Sequence, residues 1–418
     1  MVRFCPVRIF VTPLALVSPR EVRGGGFAVA LKRGRILAAG KPAEVRQRFP
    51  GAPVLEFEGG LMLPGLINPH CHLELEFCKG RVSYTGDFVE WLQQIRELKQ
   101  EQAGRPVPVA DSLRELLSSG VTTLCDHYTM EEEIPWEEIG RSGIRYFGFR
   151  EVFQFNNHNP RLDESLGFPP RYSYAAHSPY TTSAEVAALT RRWARRMGRA
   201  YSTHLSEFPE ELTFVERGEG EGIRRLIELA GADDPDFRGT GLSPIAYFHR
   251  LGILSRRTYA VHCNYLTPGD AWRLARSGAT VVFCPNSHRY FGHRDYPLAE
   301  LMVAGVRVAI GTDSLVSNRG LNLWDEVATA RESFPMVRPE QWLTMVLSNG
   351  YQPLGITAKA GRLARGGLGD LAIYPYQGEA RLETVFDYLV SEKPRTLATV
   401  VGGRVVLGAE VAQPATGP

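Results

Sequence analysis

Short apolar runs alternate with longer amphipathic segments along the middle of the chain. The short runs are rich in β-branched and aromatic residues, a pattern that predicts β-strands. They lie at Leu61–Asn68, Val121–His127, Ile144–Phe149, Tyr172–His177, Ala200–His204, Thr258–His262, Thr280–Cys284 and Val306–Thr312. Most of the segments between them repeat their apolar residues at helical spacing, which predicts α-helices. The clearest are Phe88–Gln102, Val109–Ser119, Ser183–Met197, Ile223–Ala230, Pro268–Ser277 and Leu298–Ala304.

Eight strand–helix units in series favour an α/β fold of the parallel (β/α)8, or TIM barrel, type. An open doubly wound sheet would place a glycine-rich phosphate loop after its first strand. The run Leu61–Asn68 is followed by histidines instead. The long stretch 208–247 interrupts the repeat as an insertion with its own helix, at a place where a substrate lid could lie.

Both chain ends carry short β-rich segments punctuated by glycine and proline, and neither has enough apolar faces for a core of its own. The N-terminal candidates are Val7–Val11, Phe27–Lys32, Arg35–Ala39 and Val54–Phe57, with a short helical pattern at Ala43–Phe49. The C-terminal candidates are Asp370–Tyr374, Thr384–Tyr388, Pro394–Val401 and Arg404–Leu407. We therefore expect residues 1–60 and 364–411 to form one small β-sandwich-like domain, and residues 61–363 to form the barrel.

The composition excludes several functional classes. The chain has 418 residues, 44% of them hydrophobic, and a formal net charge of +2. It lacks the basic excess that is typical of nucleic-acid-binding proteins, and no run of about 18 apolar residues predicts a membrane span. The six cysteines form no Cys-x-x-Cys pair, which favours a reduced, cytoplasmic protein over a disulfide-bonded one.

Several histidines lie at the ends of predicted strands. In the run PGLINPHCHLE, His70 and His72 are two residues apart, so that in a strand both imidazoles can reach one metal ion. Other polar residues end or follow later predicted strands, namely His177, His204, Glu207, His262, His288 and Asp313. Active sites of (β/α)8 barrels lie at the carboxyl ends of the strands. An isolated histidine is more often a structural residue, but the whole set predicts a metal site that activates water.

Five motifs together resemble the amidohydrolase superfamily, within it the branch of mononuclear deaminases acting on cytosine, guanine and adenosine-like compounds. They are PGLINPHCHLE, the STHLSE of Ser202–Glu207, the AVHC of Ala260–Cys263, the FCPNSH of Phe283–His288 and the GTDSLVSN of Gly311–Asn318. The resemblance covers nearly the whole chain and implies the same barrel and the same terminal β domain.

The resemblance implies roles for individual residues. It implies one divalent metal with four ligands, namely His70, His72, His204 and Asp313. This set of ligands is most compatible with Zn²⁺ and also with Fe²⁺. A metal there lowers the pKa of water from about 15.7 toward 7, and Asp313 accepts the proton of that water. Glu207 acts as general acid and base toward the ring nitrogen and the leaving ammonia, and His262 orients the attacking water. Since no lysine lies between Lys99 and Lys359, a carbamylated lysine cannot bridge two metals there.

Contacts to the substrate are weaker expectations. Trp91 resembles an aromatic residue that lines the pocket of related deaminases, although a helix residue packed on the barrel would look the same. His177 resembles a histidine that contacts a sugar hydroxyl. Arg150, next to Glu151, could bind a polar substituent or form an internal ion pair. His288 replaces a more usual asparagine, so that the loop 283–293 could reshape the pocket.

The implied activity is hydrolytic deamination of an aminopurine nucleoside such as 6-aminodeoxyfutalosine, S-adenosylhomocysteine or methylthioadenosine. Attack of activated water on the amino-bearing ring carbon would release ammonia. The alternatives are a deaminase of free guanine or cytosine, a chlorohydrolase or amidohydrolase of triazines on the same site, and a catalytically silent binding protein. The expected partners are a small heterocycle and water, with neither nucleic acid nor membrane, and helix faces such as Ser183–Met197 could mediate a homodimer.

Overall fold

The computed structural model describes residues 7–157, 160–162, 172–229, 231–232 and 234–408. The strands are β1 (Arg8–Thr12), β2 (Leu14–Ser18), β3 (Glu21–Arg23), β4 (Phe27–Lys32), β5 (Arg35–Gly40), β6 (Val54–Glu56), β7 (Gly60–Pro64), β8 (Leu66–Cys71), β9 (Val121–Tyr128), β10 (Arg145–Val152), β11 (Tyr172–Ala176), β12 (Tyr201–Leu205), β13 (Thr258–His262), β14 (Thr280–Phe283), β15 (Arg307–Ile310), β16 (Leu371–Pro375), β17 (Ala398–Val401) and β18 (Arg404–Gly408).

The α-helices are α1 (Pro42–Arg48), α2 (Phe88–Gln102), α3 (Ala110–Ser118), α4 (Trp136–Ser142), α5 (Ala184–Arg196), α6 (Pro209–Arg217), α7 (Glu221–Leu229), α8 (Pro244–Arg250), α9 (Asp270–Ser277), α10 (Pro285–Tyr290), α11 (Leu298–Val303), α12 (Leu323–Ser333), α13 (Pro339–Leu347) and α14 (Leu382–Glu392). Short 3₁₀ helices lie at Leu73–Cys78, Glu131–Glu133, Asn349–Tyr351 and Thr357–Lys359. None of the helices in the described ranges combines the length and the apolar character that crossing a membrane requires.

The middle of the chain contains two four-stranded parallel sheets. One has the order β8–β9–β10–β11 and the other the order β12–β13–β14–β15. At one edge, the backbone N–H of His204 donates to the carbonyl of His177 at 2.8 Å. At the other edge, the N–H groups of Thr312 and Asp313 donate to the carbonyl of His70 at 3.2 and 3.1 Å. The two sheets are therefore hydrogen-bonded to each other at both edges.

Side-chain caps fix where some of the intervening helices begin. The carboxylate of Asp87 accepts hydrogen bonds from the N–H groups of Val89 and Glu90 at the start of α2. The hydroxyl of Ser183 accepts a hydrogen bond from Val186 N–H at the start of α5, and α5 packs on β11. Such caps satisfy backbone donors that have no partner within the helix.

The strands near the two chain ends form two further sheets. One has the order β5–β4–β1–β6, and the other, with six strands, the order β18–β17–β16–β7–β2–β3. The second sheet joins the chain ends directly, because β16 pairs with β7 in antiparallel register. Buried side chains from both ends, among them Phe10, Val29, Leu371 and Val400, pack in one apolar cluster.

Many predicted elements are confirmed, but the prediction of one continuous strand at Leu61–Asn68 is wrong. The chain forms β7 up to Pro64 in the six-stranded sheet, and β8 from Leu66 in the parallel sheet. Gly65 lies between them, where a Cβ atom would overlap the side chain of Thr122. Both strands are fully buried. The apolar run in the sequence therefore continues without a break through two strands that belong to different sheets.

The prediction of a strand at Thr384–Tyr388 is also wrong, because this segment lies within α14. The buried residues of α14 are Val385, Phe386, Leu389 and Val390, which share one helical face. A five-residue window is too short to distinguish this spacing from a strand. The insertion 208–247 likewise contains α6, α7 and the first residues of α8 rather than one helix.

Candidate active site

The metal-type side chains predicted from the sequence come together at the carboxyl ends of the parallel strands. His70 lies within β8 and His72 directly follows it. His204 is the fourth residue of β12, His262 ends β13, and Asp313 lies three residues after β15. Parallel strands present these ends at one edge, which brings together residues that are far apart in sequence.

The distances among these groups suit a single metal ion. His70, His72 and His204 each offer a ring nitrogen, and these atoms lie within 4.8 Å of one another. The Oδ1 atom of Asp313 lies 3.4 Å from His70 Nε2 and 3.8 Å from His72 Nε2. His70 Nε2 is buried without a hydrogen-bond partner. Three imidazole nitrogens and a carboxylate oxygen form a donor set that zinc and iron accept, so these residues fit such an ion.

The local electrostatics favour the protonation states that metal binding requires. Burial lowers the pKa of His72 to about 3 and holds the pKa of His204 well below its usual value. Burial alone would raise the pKa of Asp313, but the close approach and charge of His70, whose Nε2 atom lies 3.4 Å from Asp313 Oδ1, bring that pKa well below the usual range. Neutral histidines and an ionised aspartate are the forms that coordinate a cation.

Asp313 is held by its neighbours. The hydroxyl groups of Ser287 and Ser317 donate to its Oδ2 atom at 2.6 and 3.0 Å. The backbone of Asp313 has φ of 59°, and that of His262 has φ of 70°. Residues other than glycine rarely adopt this left-handed region, and such strain is common at functional sites.

Glu207 faces the same place from the turn after β12. Its Oε1 atom lies 3.4 Å from His262 Nε2. Burial raises the pKa of Glu207 well above its usual value, whereas burial lowers the pKa of His262 to about 3. The backbone N–H of Glu207 donates to Glu211 Oε2 at 2.7 Å, and its carbonyl accepts from Asn264 Nδ2 at 3.1 Å. Glu207 is thus a fixed carboxyl group of raised pKa beside an imidazole of lowered pKa.

A cavity of about 310 Å³ extends from these residues, a volume within the range of ligand pockets. Its far wall consists mostly of apolar side chains from α2, α7 and the loop after α10. The wall includes Phe88, Trp91, Leu92, Leu226, Leu229 and Phe291. The insertion 208–247 and the loop 283–293 therefore both contribute to the lining. Trp91 Nε1 is buried without a hydrogen-bond partner.

Two of the four expected substrate contacts line this cavity and two do not. Trp91 and His177 belong to the lining. Arg150 lies outside it, and its Nη1 atom forms an ion pair with Glu131 Oε2 at 3.0 Å. His288 lies in α10, also outside the lining, where its ring packs against Phe283 and other aromatic rings.

Two further side chains in the site have contacts that the sequence did not indicate. His127, in β9, has its Nδ1 atom 3.1 Å from His70 Nδ1. Glu151 lines the cavity, and its Oε1 atom lies 3.3 Å from His204 Nδ1. The other histidines were predicted as site residues because they lie at the ends of predicted strands. His127 ends the predicted strand Val121–His127, so the same criterion applied to it. Glu151, His177 and His204 also form a second group with donor atoms within 4.8 Å of one another.

The comparison with known families identifies the superfamily to which this site belongs. A sequence model of the amidohydrolase family matches residues 61–406, which include all of the metal-type residues. The chain belongs to the amidohydrolase family. Members of this family are hydrolases with a TIM-barrel fold and a divalent metal, and the histidine-rich site fits that description.

The curated relatives of this amidohydrolase include two kinds of deaminase. An aminodeoxyfutalosine deaminase of Deinococcus radiodurans is 28% identical over 346 residues, which cover 77% of this chain and 79% of the relative. A 5-methylthioadenosine/S-adenosylhomocysteine deaminase of Syntrophobacter fumaroxidans is 27% identical over 373 residues, which cover 84% of this chain and 80% of the relative.

Solved structures share the fold of this amidohydrolase at low sequence identity. An aminofutalosine deaminase of Helicobacter pylori in complex with methylthio-coformycin has a TM-score of 0.81 at 20% identity, covering 96% of this chain and 100% of that chain. An adenosine deaminase of Xanthomonas campestris with bound zinc has a TM-score of 0.78 at 22% identity, covering 97% and 93%. A zinc complex of the atrazine chlorohydrolase of Arthrobacter aurescens has a TM-score of 0.76 at 18% identity, covering 98% and 97%.

Proposed function

We propose that this amidohydrolase is a metal-dependent deaminase that removes the amino group of an aminopurine nucleoside. The observation that carries the proposal is the buried carboxyl group of Glu207 beside a three-histidine, one-aspartate donor set, all lining or adjoining one cavity. Hydrolytic deamination needs both an activated water and an acid that protonates the ring nitrogen. The names of the curated relatives support this reaction class.

We assign His70, His72, His204 and Asp313 as the ligands of one divalent metal, with zinc favoured over iron. A bound metal of this kind supplies water of lowered pKa as the nucleophile. Asp313 Oδ1, at 3.4 Å from His70 Nε2 and 3.8 Å from His72 Nε2, adds a fourth donor to this set, whereas the group of Glu151, His177 and His204 offers three. The latter shares His204, whose Nδ1 atom faces the carbonyl of His177 at 3.2 Å.

Two carboxyl groups carry out the proton transfers of the reaction. Asp313, which is ionised at neutral pH, accepts a proton from water. Glu207, whose pKa is raised by burial, donates its proton to the ring nitrogen next to the attacked carbon. Its carboxylate then takes up the proton of the newly added hydroxyl group and passes it to the departing amino group, which leaves as ammonia. The proton held by Asp313 then restores Glu207. His262 lies 3.4 Å from Glu207 and orients the attacking water through its neutral ring.

The cavity favours a substrate larger than a free base. Its apolar wall on α2 and α7 can cover the part of a nucleoside that lies far from the reacting ring. We assign Trp91 to this wall and His177 to a sugar hydroxyl. The relatives favour 6-aminodeoxyfutalosine, methylthioadenosine or S-adenosylhomocysteine as the substrate. A triazine is the second candidate, because triazine hydrolases share the fold.

We also propose the architecture that supports this site. The hydrogen bonds at both edges of the two parallel sheets support a closed (β/α)8 barrel within residues 61–363, whose first strand is β8 because β7 belongs to the six-stranded sheet. The pairing of β16 with β7 supports a second domain from residues 1–60 and 364–411, of which residues 1–6 and 409–411 lie outside the described ranges. We place the protein in the cytoplasm.

Ammonia release from a substrate panel tests the proposed activity. The zinc-loaded enzyme is incubated with methylthioadenosine, S-adenosylhomocysteine, 6-aminodeoxyfutalosine, free adenine and guanine, and chloro- or alkylamino-triazines. We expect ammonia from at least one nucleoside and little from the free bases. Reaction with triazines alone would contradict the deaminase assignment, and no turnover on any compound by the metal-loaded enzyme would favour a binding protein.

A further inference from the structure

We propose that His127 is a positioning residue, which together with Ser202 holds the ring of His70 in the tautomer that leaves Nε2 free for the metal. This inference depends on the proposed metal site and adds a residue to it that touches neither the metal nor the substrate. The three side chains come from β8, β9 and β12, so that they link three strands within the interior.

The geometry is a short chain of hydrogen bonds between buried groups. His70 Nδ1 and His127 Nδ1 are 3.1 Å apart, and His127 Nε2 and Ser202 Oγ are 2.7 Å apart. All three residues have no exposed surface. The ring of His127 stacks on Phe149, with ring centres 5.0 Å apart and an angle of 14° between the planes. The two hydrogen bonds, rather than the stack, direct one ring nitrogen toward His70 and the other toward Ser202.

The number of hydrogen atoms available to this series of hydrogen bonds limits the tautomers of the two histidines. Only one hydrogen atom can lie between the two Nδ1 atoms. If His70 donates it, His70 Nε2 carries a lone pair that can coordinate a metal. His127 then accepts at Nδ1, carries its own hydrogen on Nε2 and donates to Ser202 Oγ. If the direction is reversed, His70 carries its hydrogen on Nε2 and that atom cannot be a ligand.

His70 differs in this respect from His204. The Nδ1 atom of His204 faces the backbone carbonyl of His177 at 3.2 Å, and a carbonyl can only accept. The tautomer of His204 is therefore fixed by its neighbour alone. The partner of His70 is another imidazole, which can donate or accept, and Ser202 at the far end can also do either. Two further side chains are thus needed to set one ligand tautomer, as is common for the hydrogen-bond partners of metal-bound histidines.

A pair of variants of equal size tests the role of His127. His127→Asn keeps an amide oxygen that can accept from His70 Nδ1, whereas His127→Leu has the same bulk and no acceptor. We measure the zinc dissociation constant of each purified variant by competition with a chromogenic chelator. We expect His127→Leu to weaken zinc binding about 10–100-fold, the usual range for such partners. We expect His127→Asn to bind much more tightly than the leucine variant, and Ser202→Ala to lie between them.

Phe149→Leu is the matched control, because it removes the stacked ring but no hydrogen bond. Its zinc affinity should stay close to that of the wild type. Thermal unfolding of the metal-free proteins reports whether each variant is folded. Wild-type affinity in His127→Leu would overturn the proposal, and so would equal losses in the leucine and asparagine variants, because a packing role predicts that result.

A measurement on the unmodified protein covers the case in which the variants do not fold. In the zinc-loaded enzyme labelled with ¹⁵N-histidine, we expect long-range NMR couplings to show His127 protonated at Nε2 and His70 at Nδ1. A hydrogen on His127 Nδ1 would overturn the proposal. Failure of the proposed function is distinguishable, because it is measured by ammonia release from the wild type, whereas the role of His127 is measured by zinc affinity and by the tautomer of His70.

Discussion

Glu207 and Asp313 are carboxyl groups that border one cavity, yet their surroundings shift their pKa values in opposite directions. Burial raises the pKa of Glu207, while the close approach and charge of His70 lower that of Asp313 despite its burial. Enzymes commonly separate an acid from a base in this way. The chemistry of this site therefore depends on where each carboxyl group lies relative to the histidines.

Substitution of Glu207 by glutamine tests its role as the acid. Glu207→Gln keeps the shape of the side chain but cannot transfer a proton. We expect kcat to fall by at least about 10²-fold, the smaller share that general acid–base catalysis supplies. Metal content, measured by mass spectrometry of the purified variant, should stay equal to that of the wild type. Near-normal turnover would remove Glu207 from the mechanism.

At the residue scale, the sequence indicated the metal set because strand-end histidines and the His-x-His pair are visible in one dimension. His70, His72 and His204 do lie together with Asp313. The contacts of His127 were not predictable, because nothing local shows that its ring turns toward His70 rather than toward solvent. An internal ion pair of Arg150 was one of its two expected roles, but its partner Glu131 was not predictable, since it depends on how the loop after β9 folds.

At the element scale, the division between β7 and β8 determines where His70 lies. An unbroken strand at Leu61–Asn68 would place the whole run in one sheet. The two strands instead meet at Gly65, whose carbonyl accepts a hydrogen bond from Tyr351 Oη at 3.2 Å. The one sequence signal for this division is the Pro64–Gly65 dipeptide, which is typical of a break between elements. It was outweighed by the apolar run on both sides, because both strands are fully buried.

The contact at Gly65 predicts a large effect of a single methyl group. Gly65→Ala places a Cβ atom into the side chain of Thr122, which is fully buried and cannot move aside. We expect a loss of about 1–3 kcal/mol in the free energy of unfolding, as for overpacking of a core. Gly140→Ala in α4 is the control, because a Cβ atom there meets nothing within 4 Å. Chemical denaturation of both variants gives the comparison, and equal stabilities would contradict this account of the bend.

The position of Trp91 on α2 leads to a second prediction at this scale, which concerns substrate affinity. Trp91 lines the cavity, and its indole N–H is buried without a hydrogen-bond partner in the protein. We assign a polar atom of the bound substrate as the acceptor of this hydrogen bond. Trp91→Phe keeps most of the apolar ring and removes the donor. We expect KM for the best nucleoside to rise about tenfold, with a smaller change in kcat, because a typical hydrogen bond contributes about 0.5–1.5 kcal/mol.

Trp272→Phe is the control for that variant. Trp272 lies on α9, is 57% exposed and does not line the cavity. Its replacement should leave both kinetic constants unchanged in the same steady-state assay. If Trp91→Phe behaved like Trp272→Phe, Trp91 would be a packing residue rather than part of the substrate wall.

At the scale of the whole molecule, the order of elements was predictable and the pairing of the chain ends was only partly so. The alternation of strands and helices between residues 61 and 363 follows from apolar spacing, which is a local property. The pairing of Leu371–Pro375 with Gly60–Pro64 is a long-range contact. The sequence offered one reason to expect that the two ends meet, which is that neither end could bury its apolar residues alone. Helix α14 was missed for the same reason, since its partners lie elsewhere in the chain.

Buried histidines predict how the stability of the molecule changes with pH. Burial lowers the pKa of His293 to about 4, below the usual value near 6.5. The unfolded chain therefore takes up a proton below pH 6.5 that the folded chain refuses, so this residue costs stability as the pH falls toward 4. The carboxyl groups of Asp126 and Glu211, whose pKa burial raises to about 7, act in the opposite direction.

A difference between two proteins isolates the contribution of the histidine. His293→Gln should gain stability relative to the wild type as the pH is lowered from 7 to 4.5, because glutamine takes up no proton in either state. Denaturant unfolding of both metal-free proteins at several pH values measures this difference. A constant difference across the range would show that His293 is as easily protonated in the folded chain as in the unfolded one.

The most direct test of the central claim is anomalous X-ray diffraction from crystals of the metal-loaded enzyme, recorded at the zinc and iron absorption edges. We predict one strong anomalous peak among His70 Nε2, His72 Nε2, His204 and Asp313 Oδ1, and its edge identifies the metal. Three results would contradict the mononuclear site on which the proposed reaction depends. They are a peak among Glu151, His177 and His204 instead, two peaks of similar height, and no peak in a metal-saturated crystal.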